Sequence, residues 1–133
     1  KMTGQEVECI RIRDIMRFVE SGLGQRMEKA AMKKHLYREQ PFVIQRNASM
    51  LDDGWKNETV LVQGIIDAYF MEEEEIVLVD YKTDRVKRGQ EQKLINLYHV
   101  QLEDYARALE RMTGKRVKEK IIYSFTLQKE ILL

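Results

Sequence analysis

The feature that most constrains this chain is the stretch from Val60 to Thr83, VLVQGIIDAYFMEEEEIVLVDYKT. Two runs rich in valine and isoleucine, Val60 to Phe70 and Ile76 to Asp80, read as strands. Between them MEEEE is a turn with clustered negative charge. Strands joined by so short a polar link pair antiparallel. With Glu72 to Glu75 as a four-residue hairpin loop, Met71 pairs with Ile76. Carried outward, that register puts Asp67 directly opposite Asp80. Lys82 lies two residues beyond Asp80, and the strand period of two places it on the same face.

Opposed side chains in an antiparallel pair have Cβ atoms about 4.5–5.5 Å apart. Two carboxylates at that distance repel unless something positive lies between them. A hard divalent cation with oxygen ligands resolves the conflict. Such a cation polarises a phosphate and lowers the pKa of bound water. A lysine on the same face can hold the attacking water or stabilise the developing negative charge. This is the chemistry of a metal-dependent phosphodiesterase. The plainer alternative is a solvated strand end with a surface salt bridge. Against it, Asp80 follows IVLV, a run with the character of a strand buried on both faces, and Asp67 follows GII.

Elsewhere, residues from about Ile10 to Val19 carry Ile12, Ile15, Met16 and Val19 at helical spacing. Ser21 is a fitting N-cap for a second helix towards Lys34, with Leu23, Met27, Ala30 and Ala31 as its apolar face. SGLG separates the two helices. Glu39 to Ile44 reads as a short strand with Pro41 near its start. Asn47 to Glu58 is a polar connection. Gly89 to Met112 is the strongest helix: Leu94, Leu97, Tyr98, Gln101, Leu102, Tyr105, Ala108, Leu109 and Met112 fall at three- and four-residue steps, and Gly114 is its C-cap. Lys120 to Leu127 reads as a last strand. Helix, helix, three strands, helix and strand make an α/β fold with a mixed sheet flanked by helices.

A length of 133 residues fits one domain with one core. The formal net charge of +1 carries no global basic excess, so any nucleic-acid contact relies on local patches or a metal. A single cysteine, Cys9, excludes an internal disulfide and a cysteine zinc site, and suits a reducing compartment. No apolar run approaches the roughly 20 residues of a membrane span. No Walker A pattern is present, so no ATP binding through one is expected.

At these residues the chain resembles the RecB-like branch of the PD-(D/E)XK nuclease superfamily, and most of all the C-terminal nuclease domains of bacterial ATP-dependent helicase–nucleases. The matching stretches are LYREQPFVI at Leu36 to Ile44, VQGIIDAYF at Val62 to Phe70, VLVDYKTDRV at Val77 to Val86 and YHVQLEDYARALE at Tyr98 to Glu110. The resemblance implies a restriction-endonuclease-like core. It implies that Asp67 and Asp80 are metal-binding acids, that the main-chain carbonyl of Tyr81 adds a ligand, and that Lys82 is the catalytic lysine. Gln101 and Tyr105 match the family's glutamine–tyrosine motif, and Glu39 its E-x-P-F glutamate. The implied activity is Mg²⁺-dependent exonucleolytic degradation of single-stranded DNA fed from a helicase, with Mn²⁺ as a substitute ion, in double-strand break processing and recombination. The implied setting is the cytoplasm, away from membranes, beside a second, AddB-like subunit. Residues 1–133 would then be a single, partial nuclease domain from a larger subunit with a superfamily 1 helicase motor. One departure stands out: the G-x-x-x-H motif that usually precedes these elements has no match between Lys1 and Leu36. His35 lacks the glycine and lies just before the E-x-P-F strand. The simplest account is a chain that begins downstream of that motif.

Several features have plainer readings beside functional ones. Gln101 and Tyr105 lie one helical turn apart, where they could orient the site or simply be part of a buried helix face. Gly64, inside a strand, suggests a close backbone approach or a bulge. His35 and His99 read as ordinary helix residues. Trp55 could stack on a base, though a place against the core suits it as well. Lys82, Arg85, Lys87, Arg88 and Lys93 form a basic stretch suited to a phosphate backbone or to solvated surface. Glu72 to Glu75 read as a solvated hairpin tip that repels DNA. The competing functions are a nuclease domain, a catalytically inactive nuclease-like module that binds DNA or a partner, and a different PD-(D/E)XK enzyme such as a junction resolvase.

Overall fold

The hairpin forms with the expected register and a tighter turn. The structure, a computed structural model, describes residues 12–47 and 59–133. Strands β2 (Thr59–Glu72) and β3 (Glu75–Lys82) pair antiparallel, Met71 with Ile76 and Glu72 with Glu75. The turn is therefore two residues, Glu73 and Glu74, with left-handed φ of 50° and 71°. Two successive positive φ values are what a type I′ hairpin requires, because its twist matches that of the strands. The glutamates around it are not a free acidic tip. Glu72 is bonded to Arg26 at 2.8 and 3.0 Å and lies 3.2 Å from Lys118. Glu74 pairs with Lys115, and Glu75 with Arg116. These cations come from elements distant in sequence.

Five strands form one sheet in the order β1-β2-β3-β4-β5, with β1 (Leu36–Asn47), β4 (Val117–Ser124) and β5 (Lys129–Leu132). Only β3 and β4 run parallel, and helix α3 (Glu91–Thr113) joins them. That crossover is what a parallel neighbour needs. The expected last strand is thus two: β4 ends at Ser124, the chain turns, with Gln128 at φ 52°, and β5 returns antiparallel. β1 is also longer than the short strand expected, since every residue but Glu39 pairs with β2.

Helix α3 covers one face of the sheet. It buries Leu94, Leu102, Tyr105, Ala106, Ala108 and Leu109 against Ile66, Tyr69, Ile76, Leu78 and Ile122. Leu97 and Met112, on the margins of its apolar stripe, are exposed. The other face is covered by α2 (Gly22–Met32), through Leu23, Met27 and Ala30 against Ala68, Phe70, Val77, Val79, Ile121 and Tyr123. Ala31 is exposed. β3 is buried on both sides from Ile76 to Asp80, as the IVLV run implied.

Ser21 does cap α2, its Oγ accepting from the Gly24 N–H at 3.0 Å. The break between helices is Ser21 alone, because Gly22 and Gly24 lie inside α2. Gly24 is needed for a close crossing: a Cβ there would lie 2.1 Å from the Phe18 carbonyl oxygen. Helix α1 (Ile12–Glu20) buries none of its residues, and Ile12, Ile15, Met16 and Val19 face outward. Its half-buried Phe18 anchors it, with ring centroids 4.7 Å from Tyr123 and 5.5 Å from Tyr81. The connection expected over Asn47 to Glu58, with Trp55, lies almost wholly outside the described residues, as does Cys9.

One irregularity shapes the functional end. On β2, Ala68 and Phe70 face α2, and Tyr69 and Met71 face α3. Strict alternation would send Ile66 to the α2 side, yet Ile66 and Val62 pack towards α3. β1 changes phase at the same level: Leu36 packs on the α2 side, and Phe42 and Ile44 on the α3 side. The reset lies at Asp67 on β2 and Glu39 on β1. Glu39 has φ 49°, a left-handed conformation that costs a non-glycine residue about 1 kcal/mol.

Candidate active site

The ladder between β2 and β3 ends at Ala68 and Val79, one step short of the aspartates. Beyond it the Tyr81 N–H donates to Asp67 Oδ2 at 2.9 Å, so a side-chain carboxylate takes the place of a main-chain acceptor. That bond fixes Asp67 at the mouth of the hairpin, beside Asp80. Asp80 follows Leu78 on the α3 face and is only 3% exposed. Lys82, next on that face, brings Nζ to 3.0 Å from Asp80 Oδ2. Apart from this ion pair, Asp80 Oδ2 has no hydrogen-bond partner.

Helix α3 supplies the remaining walls. Lys82 Nζ donates to Gln101 Oε1 at 3.1 Å and lies 3.9 Å from the centre of the Tyr98 ring. The Tyr98 hydroxyl donates to Asp84 Oδ2 at 2.8 Å. Tyr105, one turn beyond Gln101, packs edge-on against Phe42 with centroids 5.0 Å apart. Phe42 in turn covers Gly64 on the neighbouring strand, where a Cβ would lie 3.0 Å from its ring. The close approach at Gly64 is thus made by a side chain rather than by backbone.

The electrostatics follow from this packing. Burial, assisted by neighbouring Asp67 and opposed by Lys82, pushes the Asp80 carboxyl up to about 7. Burial is also the main reason that the hydroxyls of Tyr98 and Tyr105 are raised to about 12, with Asp84 adding to the first and Asp80 and Asp67 to the second. The site is a half-buried cluster in which Asp80 is the fully buried member, and its carboxylates Asp67, Asp80 and Asp84 outnumber the one ammonium group of Lys82.

Such a donor set suits a hard divalent cation. Asp80 offers a buried oxygen held only by the Lys82 ion pair, Asp67 offers a second carboxylate, and both are oxygen ligands. Among the described residues no group of three His, Cys, Asp or Glu side chains gathers as a metal cluster. His99 is a helix-surface residue whose Nδ1 lies near the Ile95 and Asn96 carbonyls, and His35 is exposed.

The geometry brings together Asp67, Asp80, Lys82 and Gln101, with Tyr81 contributing its N–H and Tyr105 close enough to feel both acids. Glu39 stands apart: it is exposed and makes no hydrogen bond or ion pair among the described residues. The basic stretch divides, since Lys82 is enclosed by the site while Arg85, Lys87 and Arg88 are exposed. The part sequence reasoning missed is Asp84. Its signal was spacing, for Asp84 lies two residues after Lys82, and Tyr98 three before Gln101.

A family model described as the PD-(D/E)XK nuclease superfamily matches residues 7–131. The chain belongs to that superfamily. Its members generally use divalent metal ions, in keeping with the acidic pair. Over 98% of its length this superfamily member is 40% identical to the A subunit of the ATP-dependent helicase/nuclease of Clostridium novyi. It is 42% identical over 96% of its length to the protein of that name in Lachnoclostridium phytofermentans, and 41% over 93% to the one in Thermoanaerobacter. It spans only 10–12% of these relatives. The mixed five-stranded sheet with helices on both faces is the α/β architecture expected of this superfamily. Among the described residues, no helix is long and apolar enough to cross a membrane.

Proposed function

We propose that this chain is the metal-dependent deoxyribonuclease domain of an AddA-like helicase–nuclease, hydrolysing phosphodiesters of single-stranded DNA delivered by the helicase. The observation that carries the reading is the pairing of buried Asp80 with Asp67, with the Lys82 ammonium 3.0 Å from Asp80. Asp67, Asp80 and the main-chain carbonyl of Tyr81 would hold Mg²⁺ or Mn²⁺. When bound, the cation supplies Lewis-acid polarisation of the phosphate and a water of lowered pKa. Asp67, tied to the Tyr81 N–H, keeps its carboxylate aimed at the pair. Lys82 orients the attacking water and stabilises the charge that develops on phosphate oxygen. Gln101 holds Lys82 from the helix side, and Tyr105 closes the pocket against bulk water.

In the complete parent this activity would be exonucleolytic and would serve double-strand break processing and recombination. It would act in the cytoplasm, beside an AddB-like second subunit. Residues 1–133 would form one partial nuclease domain of that parent. A second reading, a catalytically inactive module that binds DNA or a partner, draws on the two-carboxylate donor set found among the described residues.

The test is Lys82→Ala in the complete helicase–nuclease. Degradation of single-stranded DNA in Mg²⁺ should fall by about 10²–10³, the usual effect of removing a group that stabilises a developing oxyanion. ATP-driven unwinding should persist. Degradation near the wild-type rate would refute the role of Lys82.

A further inference from the structure

Three seats of different chemistry surround the Lys82 ammonium: the Asp80 carboxylate at 3.0 Å, the Gln101 amide oxygen at 3.1 Å and the face of Tyr98 at 3.9 Å. An ammonium has three N–H donors and a long stem, so without such seats it samples many rotamers. The first seat is conditional, because Asp80 is the carboxylate that a divalent cation would claim. Once that oxygen is engaged, Gln101 and Tyr98 are what keeps Nζ in place. A ring face attracts a cation within about 6 Å of its centroid, most strongly where water is excluded. Lys82 is 16% exposed, which meets that condition. The ring is itself anchored, since its hydroxyl donates to Asp84 on the segment that follows β3. Lysine, ring and anchor thus form a closed loop between β3 and α3.

We propose that Tyr98 is a positioning residue for the nuclease reaction: its ring face, tethered by Asp84, holds the Lys82 ammonium in its working position. This rests on the role given to Lys82 above. A packing role alone is the competing account, because Tyr98 also borders the core under α3. The two accounts differ in what they require of the ring. Packing needs volume; seating a cation needs π-electron density.

The experiment places phenylalanine, then mono-, tri- and pentafluorophenylalanine, at position 98 of the complete helicase–nuclease. The analogues nearly match in shape and withdraw electron density from the ring face in steps. The expected result is a stepwise fall in kcat on single-stranded DNA in Mg²⁺. The whole series should span about 2- to 30-fold, the range of a cation–π contact, with KM for DNA little changed. Tyr98→Leu should lose as much as the pentafluoro analogue, and in a Lys82→Ala background it should lose nothing further. Unwinding by each variant reports that the protein is folded. A flat kcat across the series, with Lys82→Ala still inactive, would overturn the role of Tyr98 and leave that of Lys82 standing. An active Lys82→Ala protein would instead overturn the reading of the site on which this role depends.

Discussion

Replacing Asp80 with asparagine should make the protein more stable at alkaline pH and remove one acid of the proposed metal site. Asp80 is almost fully buried, and its carboxyl is pushed from an ordinary 3.8 up to about 7 by burial and by Asp67. Its pKa in the folded state is thus about three units above that in the unfolded chain, a ceiling of ~4 kcal/mol at ~1.4 kcal/mol per unit. The folded state binds the proton more tightly, so stability is full below about pH 4. It falls as pH rises and is level above about pH 7, where both states are ionised. Asparagine carries no charge, but its buried amide retains a desolvation cost of about 1–3 kcal/mol. The expected net gain for Asp80→Asn is therefore about 1–3 kcal/mol at pH 8, roughly 3–10 °C in Tm. It should vanish or reverse near pH 4. The assay is thermal melting of both proteins in EDTA from pH 4 to 8, because their difference isolates Asp80 from other titrating groups. Added Mg²⁺ should raise the melting temperature of the wild type and leave that of the variant unmoved. A wild-type-to-variant difference that does not change with pH would refute the reasoning.

Three further outcomes are expected. Titration calorimetry with Mg²⁺ or Mn²⁺ should show weak binding that Asp80→Ala abolishes, since two carboxylates and a carbonyl leave several coordination positions to water; tight binding unaffected by that change would contradict the site. Arg26 and Lys118 hold the Glu72 carboxyl down at about 2, so this cluster contributes stability above about pH 4.5 that is lost as pH falls towards 2; Arg26→Leu should lower the melting temperature by about 2–5 °C at pH 7, a partly exposed network being worth only ~1 kcal/mol, and the gap should close on acidification. Gly24→Ala should destabilise by more than ~3 kcal/mol, because its Cβ would enter the Phe18 carbonyl at 2.1 Å; near wild-type melting would show that α1 does not cross α2 so closely.

Much of this protein could be read from periodicity and short-range chemistry. The ladder itself stops one step short of Asp67 and Asp80, but the Met71–Ile76 register is local arithmetic and was legible in the sequence, as was the shared face of Asp80 and Lys82. So were the span of α3, with Gly114 at φ 72° as its cap, and the N-cap at Ser21. The tight Glu73–Glu74 turn was misjudged because glutamate is an unusual type I′ residue, yet the register survived: Glu72 and Glu75 simply extend the same pairing.

Tertiary structure decided the rest. The phase reset at Glu39 and Asp67 depends on two strands together and left no mark in either pattern. Burial of Asp80 needs α3 laid across β3, and it is this dehydration that raises its carboxyl. Lys82, Gln101, Tyr98 and Asp84 meet because a long crossover helix returns over the strand it left, which spacing alone cannot specify. The hairpin glutamates found their cations on α2, on β4 and just ahead of β4. Local sequence determined which residues share a face, because side-chain direction is set by backbone period. Which faces meet, and how dry they become, was determined only by the packing of elements far apart along the chain.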